Sequence, residues 1–360
     1  ILLRLPLLFC PPNNDCHRYA WEGRIQNLGF NPYSTGPLDP RLESQRDDLW
    51  QSINKKHYTT IYPPLAELEF RLLAAVHYAV KTPQLAHAVI DVGVVLALAG
   101  LLSLLGQPAW HLAIYALCPL VLASFAHAGH NDSLMILALI AFLAAAKKER
   151  WHLAGLALGL AILAKTVPAI LLALLVRRSW RAVGIALLTV IAGYLLYIDA
   201  GWQLFYALHH FPSSGHFNNL FDELRIWVNR LLDLRILARD RNLICLALLG
   251  GAAAYRIARP RLLIADARWL MALVILMLPI IHFWYATWVL ALVALRPRGY
   301  WAWLVLTATM AMYWQAPGSW RAGGGWRLEW WAVAVIWVPF FAAWMAETAW
   351  NRRTKKKPEG

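Results

Sequence analysis

Residues 147–181 read KKERWHLAGLALGLAILAKTVPAILLALLVRRSWR, two basic clusters bracketing twenty-six largely apolar residues. Lysine and arginine concentrate in cytosolic loops of membrane proteins, so both clusters belong on the cytosolic side. One helix across 151–176 would put them on opposite sides. The segment therefore enters and returns as two short helices, broken at 164–168 (AKTVP). The same reasoning applies to 269–295, flanked by Arg268 and Arg296, with its break at 279–285 (PIIHFWY). Broken helices persist at membrane depth only where protein or a watery cavity satisfies the freed backbone groups. Both breaks thus point to the protein interior, and each carries a cationic or protonatable residue, Lys165 and His282.

The whole composition agrees. Of 360 residues, 60% are hydrophobic and 15% charged, a balance that excludes a water-soluble domain. Twenty Trp and thirteen Tyr suit a chain with many membrane interfaces. The net charge of +14 sits in short loops between apolar runs, at 147–150, 177–181, 256–261, 296–298 and 352–357. That is an orientation signal, not a nucleic-acid surface. Residues 1–12 are too short to span a bilayer, which takes ~20 residues. They read as the tail of a first transmembrane helix. Further spans fall at 85–105, 108–125, 134–146, 181–199, 242–258, 300–314 and 328–346. With the two broken pairs, the expectation is an all-α polytopic membrane protein of about twelve crossings, a single domain over 1–360. Residues 13–80 form a long external segment, 201–241 a second external loop, 127–133 and 315–325 shorter ones, and 351–360 a basic cytosolic tail. No internal repeat is visible, which weighs against many transporter folds.

The chemistry gathers in 14–33, NDCHRYAWEGRIQNLGFNPY. Asp15, Glu22, Arg18 and Arg24 stand beside Tyr19, Trp21 and Tyr33, the residue types that hold a sugar phosphate and deprotonate a hydroxyl. Residues 13–61 carry six basic and six acidic side chains. Within them 42–56 has the makings of a surface helix. At 61–80 Pro63–Pro64 suits a helix start, and Glu67, Glu69, Arg71 and His77 favour a juxtamembrane or re-entrant helix over a lipid-facing span.

Each polar residue has a plain reading beside the functional one. Asp15 is a general base at the membrane boundary, or a helix cap or partner for Arg18. Glu22 reads first as a salt-bridge partner of Arg18 or Arg24. His130, Asn131 and Asp132, at an external break, bind a metal, position an acceptor or cap the helix starting at Ser133. Lys165 neutralises a phosphate or bonds loop carbonyls. Asp91, alone in an apolar run, is an interior partner for an arginine. His209, His210 and His216 lack zinc-protease spacing. Cys118 and Cys245 read as inert core residues. Cys10 and Cys16 are able to pair in an oxidising compartment. No cofactor is certain, and a divalent metal is left open.

The element D15-CHRYAWEG-R24 resembles the DxxRYxWDG element of GT-C-type glycosyltransferases that use polyprenyl-phosphate-linked sugars, among them bacterial polyprenol-phosphate-mannose mannosyltransferases. The similarity continues through Asn31-Pro32-Tyr33, Ile61-Tyr62-Pro63-Pro64-Leu65, Gly129-His130-Asn131-Asp132, Lys165-Thr166-Val167-Pro168 and His282-Phe283-Trp284-Tyr285. The resemblance implies an inverting transfer of a hexose, with mannose first, at the external face of the plasma membrane. It implies Asp15 as base. The cations Arg18, Lys165 and His282 are read as candidates for the donor phosphate, and Tyr19, Glu22, Arg24, Tyr33, Tyr62, His130, Asn131, Asp132, Trp284 and Tyr285 as candidates around the substrates. The partners expected are a polyprenyl-phosphate-linked sugar donor, a lipid or glycan acceptor and the lipid bilayer, with no nucleic acid. Two departures stand out: Glu22 where the pattern has Asp, and Phe283 where proline commonly precedes Trp-Tyr. A glycolipid transporter or flippase and a non-enzymatic assembly subunit are the competing classes.

Overall fold

The computed structural model describes residues 2–210, 217–297, 301–316 and 328–354. Their regular structure is helical. The one β contact among them is an isolated parallel bridge between Phe217 and Ile280. The loop expected at 315–325, the tail at 351–360 and His216 lie largely or wholly outside the described residues.

After two 3-10 turns (Leu2–Arg4, Pro6–Phe9) come α1 (Asp15–Asn27), α2 (Asp48–Gln51), α3 (Pro64–Val76) and α4 (Lys81–Leu104). Short pieces α5 (Ala113–Ala116) and α6 (Pro119–Leu122) lead through a π turn to α7 (Asp132–Lys147) and α8 (Trp151–Ala164). Then follow α9 (Leu172–Leu175), α10 (Trp180–Leu195), α11 (Tyr206–His210), α12 (Leu220–Leu232), α13 (Ala238–Ala258), α14 (Leu263–Met277), α15 (Ala286–Leu295), α16 (Trp301–Thr309) and a last helix, Trp330–Thr354. Lys81–Leu104 and Trp330–Asn351 are each long and apolar enough to cross a membrane. Two bent pairs, Ala109–Ala116 with Pro119–His127 (53°) and Trp180–Leu195 with Ile198–Phe205 (110°), qualify as broken spans. By length and composition the described helices give two to four crossings, against the twelve expected from the basic loops.

Both anticipated breaks are present. α8 ends at Ala164, Lys165 is extended, and Pro168 lies in the 3-10 turn Val167–Leu171. α14 ends at Met277 and the chain is irregular until Phe283–Tyr285. The protein itself satisfies the backbone freed there, as a break away from water requires. Phe217 N donates to Pro279 O (3.2 Å), Ile281 N to Phe217 O (2.9 Å) and Asn218 Nδ2 to Ile281 O (3.2 Å). Gln84 does the same at the third break, donating to Ala126 O (3.0 Å) and His127 O (2.8 Å).

Three local readings need correction, and a fourth, the Cys10–Cys16 pairing left open, resolves. Residues 14–33 are not all loop, because Asp15–Asn27 is an α-helix, with Gly29 beyond it at φ 88°. The 42–56 segment is no single helix. Asp39 and Asp47 each accept from backbone N–H groups just ahead (Arg41 N, Trp50 N), so two short turns start in its place. Cys10 and Cys16 are unpaired, and the Cys16 thiol lies against Ala128 O (3.4 Å). The helix expected from Ser133 starts at Asp132, and Asn131 makes no capping hydrogen bond. Asp91 does meet an arginine, Arg4, at 2.7 Å, with the Tyr115 hydroxyl on its other oxygen.

The helices are arranged with two opposite ends. α7, α8 and α10 pack side by side, α8 approaching α10 through Gly155 and Gly159, where an added Cβ would fall 2.4 Å from Ala182 O and 2.6 Å from Thr189 Cβ. At one end lie the start of α1, the start of α7 and the three breaks. The basic 147–150 and 177–181 turns lie at the other.

Candidate active site

Asp15 opens α1, with Asn13 Oδ1 accepting its N–H. Its side chain is 19% exposed, enough for a substrate atom to reach. One carboxylate oxygen accepts from Asn54 Nδ2 at 2.8 Å, and the other faces His130 Nδ1 at 3.4 Å. Asn13 Nδ2 lies 3.4 Å from His130 Nε2. The contact with Asp15 is electrostatic, since His130 Nδ1 is buried without a well-aligned hydrogen-bond partner among the described residues. Burial works to raise the Asp15 pKa, but the neighbouring His130 and the Asn54 donation outweigh it and hold the group at about 2. The surroundings of Asp15 therefore favour its ionised form.

His130 is fully buried and stacks on Trp284 (3.5 Å between centroids, 20°), whose other neighbour is His282 (4.3 Å, 5°). His282 Nδ1 lies 2.8 Å from the Tyr313 hydroxyl. This stack brings the 127–133 break and the 279–285 break together beside Asp15. The third break joins through Asp132. Its Oδ1 accepts from Lys165 Nζ (2.6 Å) and Trp288 Nε1 (2.7 Å), while Oδ2 is buried without a hydrogen-bond partner among the described residues. Lys165 also sits over the rings of Tyr285 (4.9 Å) and Trp288 (5.2 Å). So Lys165 bonds a carboxylate rather than loop carbonyls, and Asp132 receives a cation rather than capping its helix.

The other expected residues divide into supports and outliers. Tyr19 OH reaches Asn131 Oδ1 (3.4 Å), packed edge-on to Tyr62 and stacked on Phe70. Tyr33 OH donates to Tyr62 O (2.8 Å). Arg18 does not aim at Asp15. It pairs with Glu22 (2.5 Å) and donates to Lys55 O (3.5 Å) and Tyr58 O (2.9 Å). It thereby shapes the 55–58 turn that follows Asn54. Glu22 is thus the salt-bridge partner expected of it. Thr60 links it to Glu67, which burial and the Glu22 charge push well above the usual carboxylate range. Arg24 is engaged with Asp47 (2.6 Å) and lies over Tyr78.

Four contributors carried no signal in the motifs: Asn13, Asn54, Trp288 and Tyr313. Trp288 was the accessible one, since it follows Tyr285 by three residues and so shares its helix face. Among the described residues no three His, Cys, Asp or Glu side chains come together as a metal ligand set.

An all-helical protein with membrane-capable helices, presenting an ionised carboxylate between imidazoles and cations at one end, has the parts of a membrane-bound transferase. The chain belongs to the family described as alpha-(1->6)-mannopyranosyltransferase, whose N-terminal domain matches residues 1–203. That family is one of mannosyltransferases, which fits the GT-C-type resemblance of the motifs. No curated protein and no solved structure matches it.

Proposed function

We propose that this mannosyltransferase moves mannose from a polyprenyl-phosphate-linked donor to a hydroxyl of a lipid or glycan acceptor at the external face of the plasma membrane. The supporting observation is Asp15, a partly exposed carboxylate held in its ionised form by its neighbours, where three chain breaks converge. The acceptor oxygen attacks the anomeric carbon from the face opposite the phosphate. The new C–O bond forms, the bond from the anomeric carbon to the phosphate oxygen breaks, and the acceptor proton passes to Asp15. A carboxylate held at about 2 is a weak base. It takes the proton late, once C–O bond formation has made the hydroxyl acidic.

The departing lipid phosphate gains charge as the bond breaks, so a nearby cation favours the transition state over bound donor. Lys165 and Lys55 both lie within electrostatic reach of His282. Arg18 is turned towards Glu22 and backbone carbonyls, whereas Lys165 reaches Asp132, two residues from His130. The aromatic tier of Trp284 and Tyr285 walls the sugar site, and Tyr19, Tyr33 and Tyr62 support it. Purified protein in nanodiscs, given polyprenyl-phosphate mannose or a nucleotide-linked mannose with a mannoside acceptor, tests the donor class. Transfer from the lipid-linked donor alone is expected. Transfer from the nucleotide sugar alone overturns the reading.

A further inference from the structure

One cavity lies far from Asp15. It occupies about 890 Å³ at the opposite end, where α4, α7, α14 and α15 end or begin. Asp132 and Lys147 are the two ends of the sixteen-residue α7, one in the active site and the other on the cavity wall. At 1.5 Å per residue the two sites are roughly 20 Å apart.

The cavity wall is apolar with a cationic rim. Leu143, Leu263 and Leu295 line its depth, and Lys147, Arg178 and Arg296 its margin, against one acidic residue, Glu149. Two further features belong to a binding site rather than a crevice. His111, 6% exposed, lines the cavity and has its Nδ1 buried without a hydrogen-bond partner among the described residues. The fifteen-residue α14 starts in the wall at Leu263, and no side chain caps it, which leaves first-turn N–H groups for an anion. Arg178 is braced by Leu174 O (2.6 Å) and Arg261 O (2.8 Å) and lies 3.9 Å from the buried Asp266 carboxylate of the first α14 turn, so Lys147 and Arg296 carry most of the uncompensated charge.

We propose that this cavity binds an anionic phospholipid of the cytosolic leaflet, its phosphate among Lys147, Arg178, Arg296 and the α14 start, its acyl chains against the leucines. The placement rests on the orientation read from the basic loops. The chemistry follows from the cavity itself: an anion held by cations and helix N–H groups, attached to an apolar body. A free phosphate would leave the leucine-lined depth unfilled. A basic pocket between helices on the cytosolic side is a recurrent form of lipid headgroup site.

The test uses the intact protein in phosphatidylcholine nanodiscs containing a phosphatidylglycerol probe, with retained probe counted by native mass spectrometry after release into detergent. Lys147 is exposed and Arg296 half-buried, so the K147Q/R296Q double variant leaves the core intact. Surface cations contribute about fivefold each to anionic lipid affinity, so binding should weaken about 30-fold. Leu263→Trp, which narrows the cavity and keeps every charge, should also lower retention. Unchanged retention in both variants overturns the proposal. So does equal retention of phosphatidylcholine, which would mark a merely apolar groove. Displacement of the probe by millimolar inorganic phosphate would reassign the site to a free anion and equally overturn it.

Discussion

Asp15 has both carboxylate oxygens engaged, one by Asn54 and one by His130, before any substrate arrives. Its partners come from residues 39 positions on and from another break altogether. No local pattern announces such contacts, which is why the sequence singles out Asp15 as a candidate and is silent on Asn54. The same holds for Lys165 and Asp132. Each was conspicuous alone, but their pairing across 33 positions needs the fold. That pairing yields a prediction. The Asp132 side chain is 1% exposed, and removing its cation strands a buried charge, typically about 3–5 kcal/mol. Lys165→Met should lower the melting temperature markedly, and adding Asp132→Asn should recover most of the loss. Equal melting of Lys165→Met and wild type would mean the pair contributes nothing.

Glu69 offers a second test at this scale. Burial pushes it up to about 8, with Oε1 3.6 Å from His87 Nδ1 and Oε2 buried without a hydrogen-bond partner among the described residues. The folded state keeps a proton that the unfolded chain releases above 4.5. Stability contributed by this group is therefore full below pH 4.5 and declines as pH rises towards 8. Glu69→Gln should melt like wild type at pH 4.5 and above it at pH 8, by scanning fluorimetry. A parallel pH dependence in both proteins would place Glu69 in its ionised form throughout.

At the scale of elements, the broken helices follow from arithmetic on basic clusters, and both breaks fall at the anticipated residues. The close packing of α8 on α10 is a different kind of information. Gly155 and Gly159 lie four apart, a spacing that brings helix backbones together, but nothing in the sequence names the partner helix. At Gly155 the obstacle to a side chain is the Ala182 carbonyl, backbone that cannot swing aside. Gly155→Ala should destabilise by roughly 1–3 kcal/mol, the range for overpacking. Gly184→Ala, in α10 with no atom within 4 Å of an added Cβ, should not. Equal melting of the two variants would contradict the interface. The two short turns in place of a 42–56 helix teach the converse lesson. Aspartates that accept from nearby N–H groups start turns irrespective of the apolar spacing around them.

At the scale of the molecule, all-helical membrane character was legible from composition, and the segregation of basic turns from the breaks was legible from charge. The number of crossings was not. Hydropathy finds apolar runs, but α8 and α15, at 14 and 10 residues, are too short to be told from buried core helices. Sidedness is directly measurable. With Cys10 replaced and the three other cysteines buried, cysteines at Lys148 and Ser179 should react with an impermeant maleimide only from the cytosol. One at the exposed Ser44 should react only from outside. Labelling of Ser179 from outside would refute the re-entrant reading of 151–176.

The most direct test of the mechanism is Asp15→Asn, which keeps the shape and the Asn54 contact while removing the anion. Turnover of polyprenyl-phosphate mannose should be measured beside equilibrium binding of the same donor, in the same nanodiscs. Loss of a general base lowers turnover by roughly 100-fold or more, and donor affinity should stay within about twofold, because the carboxylate acts on the acceptor. Near-wild-type turnover with intact binding would contradict the account and move the base to another carboxylate, Asp132 first.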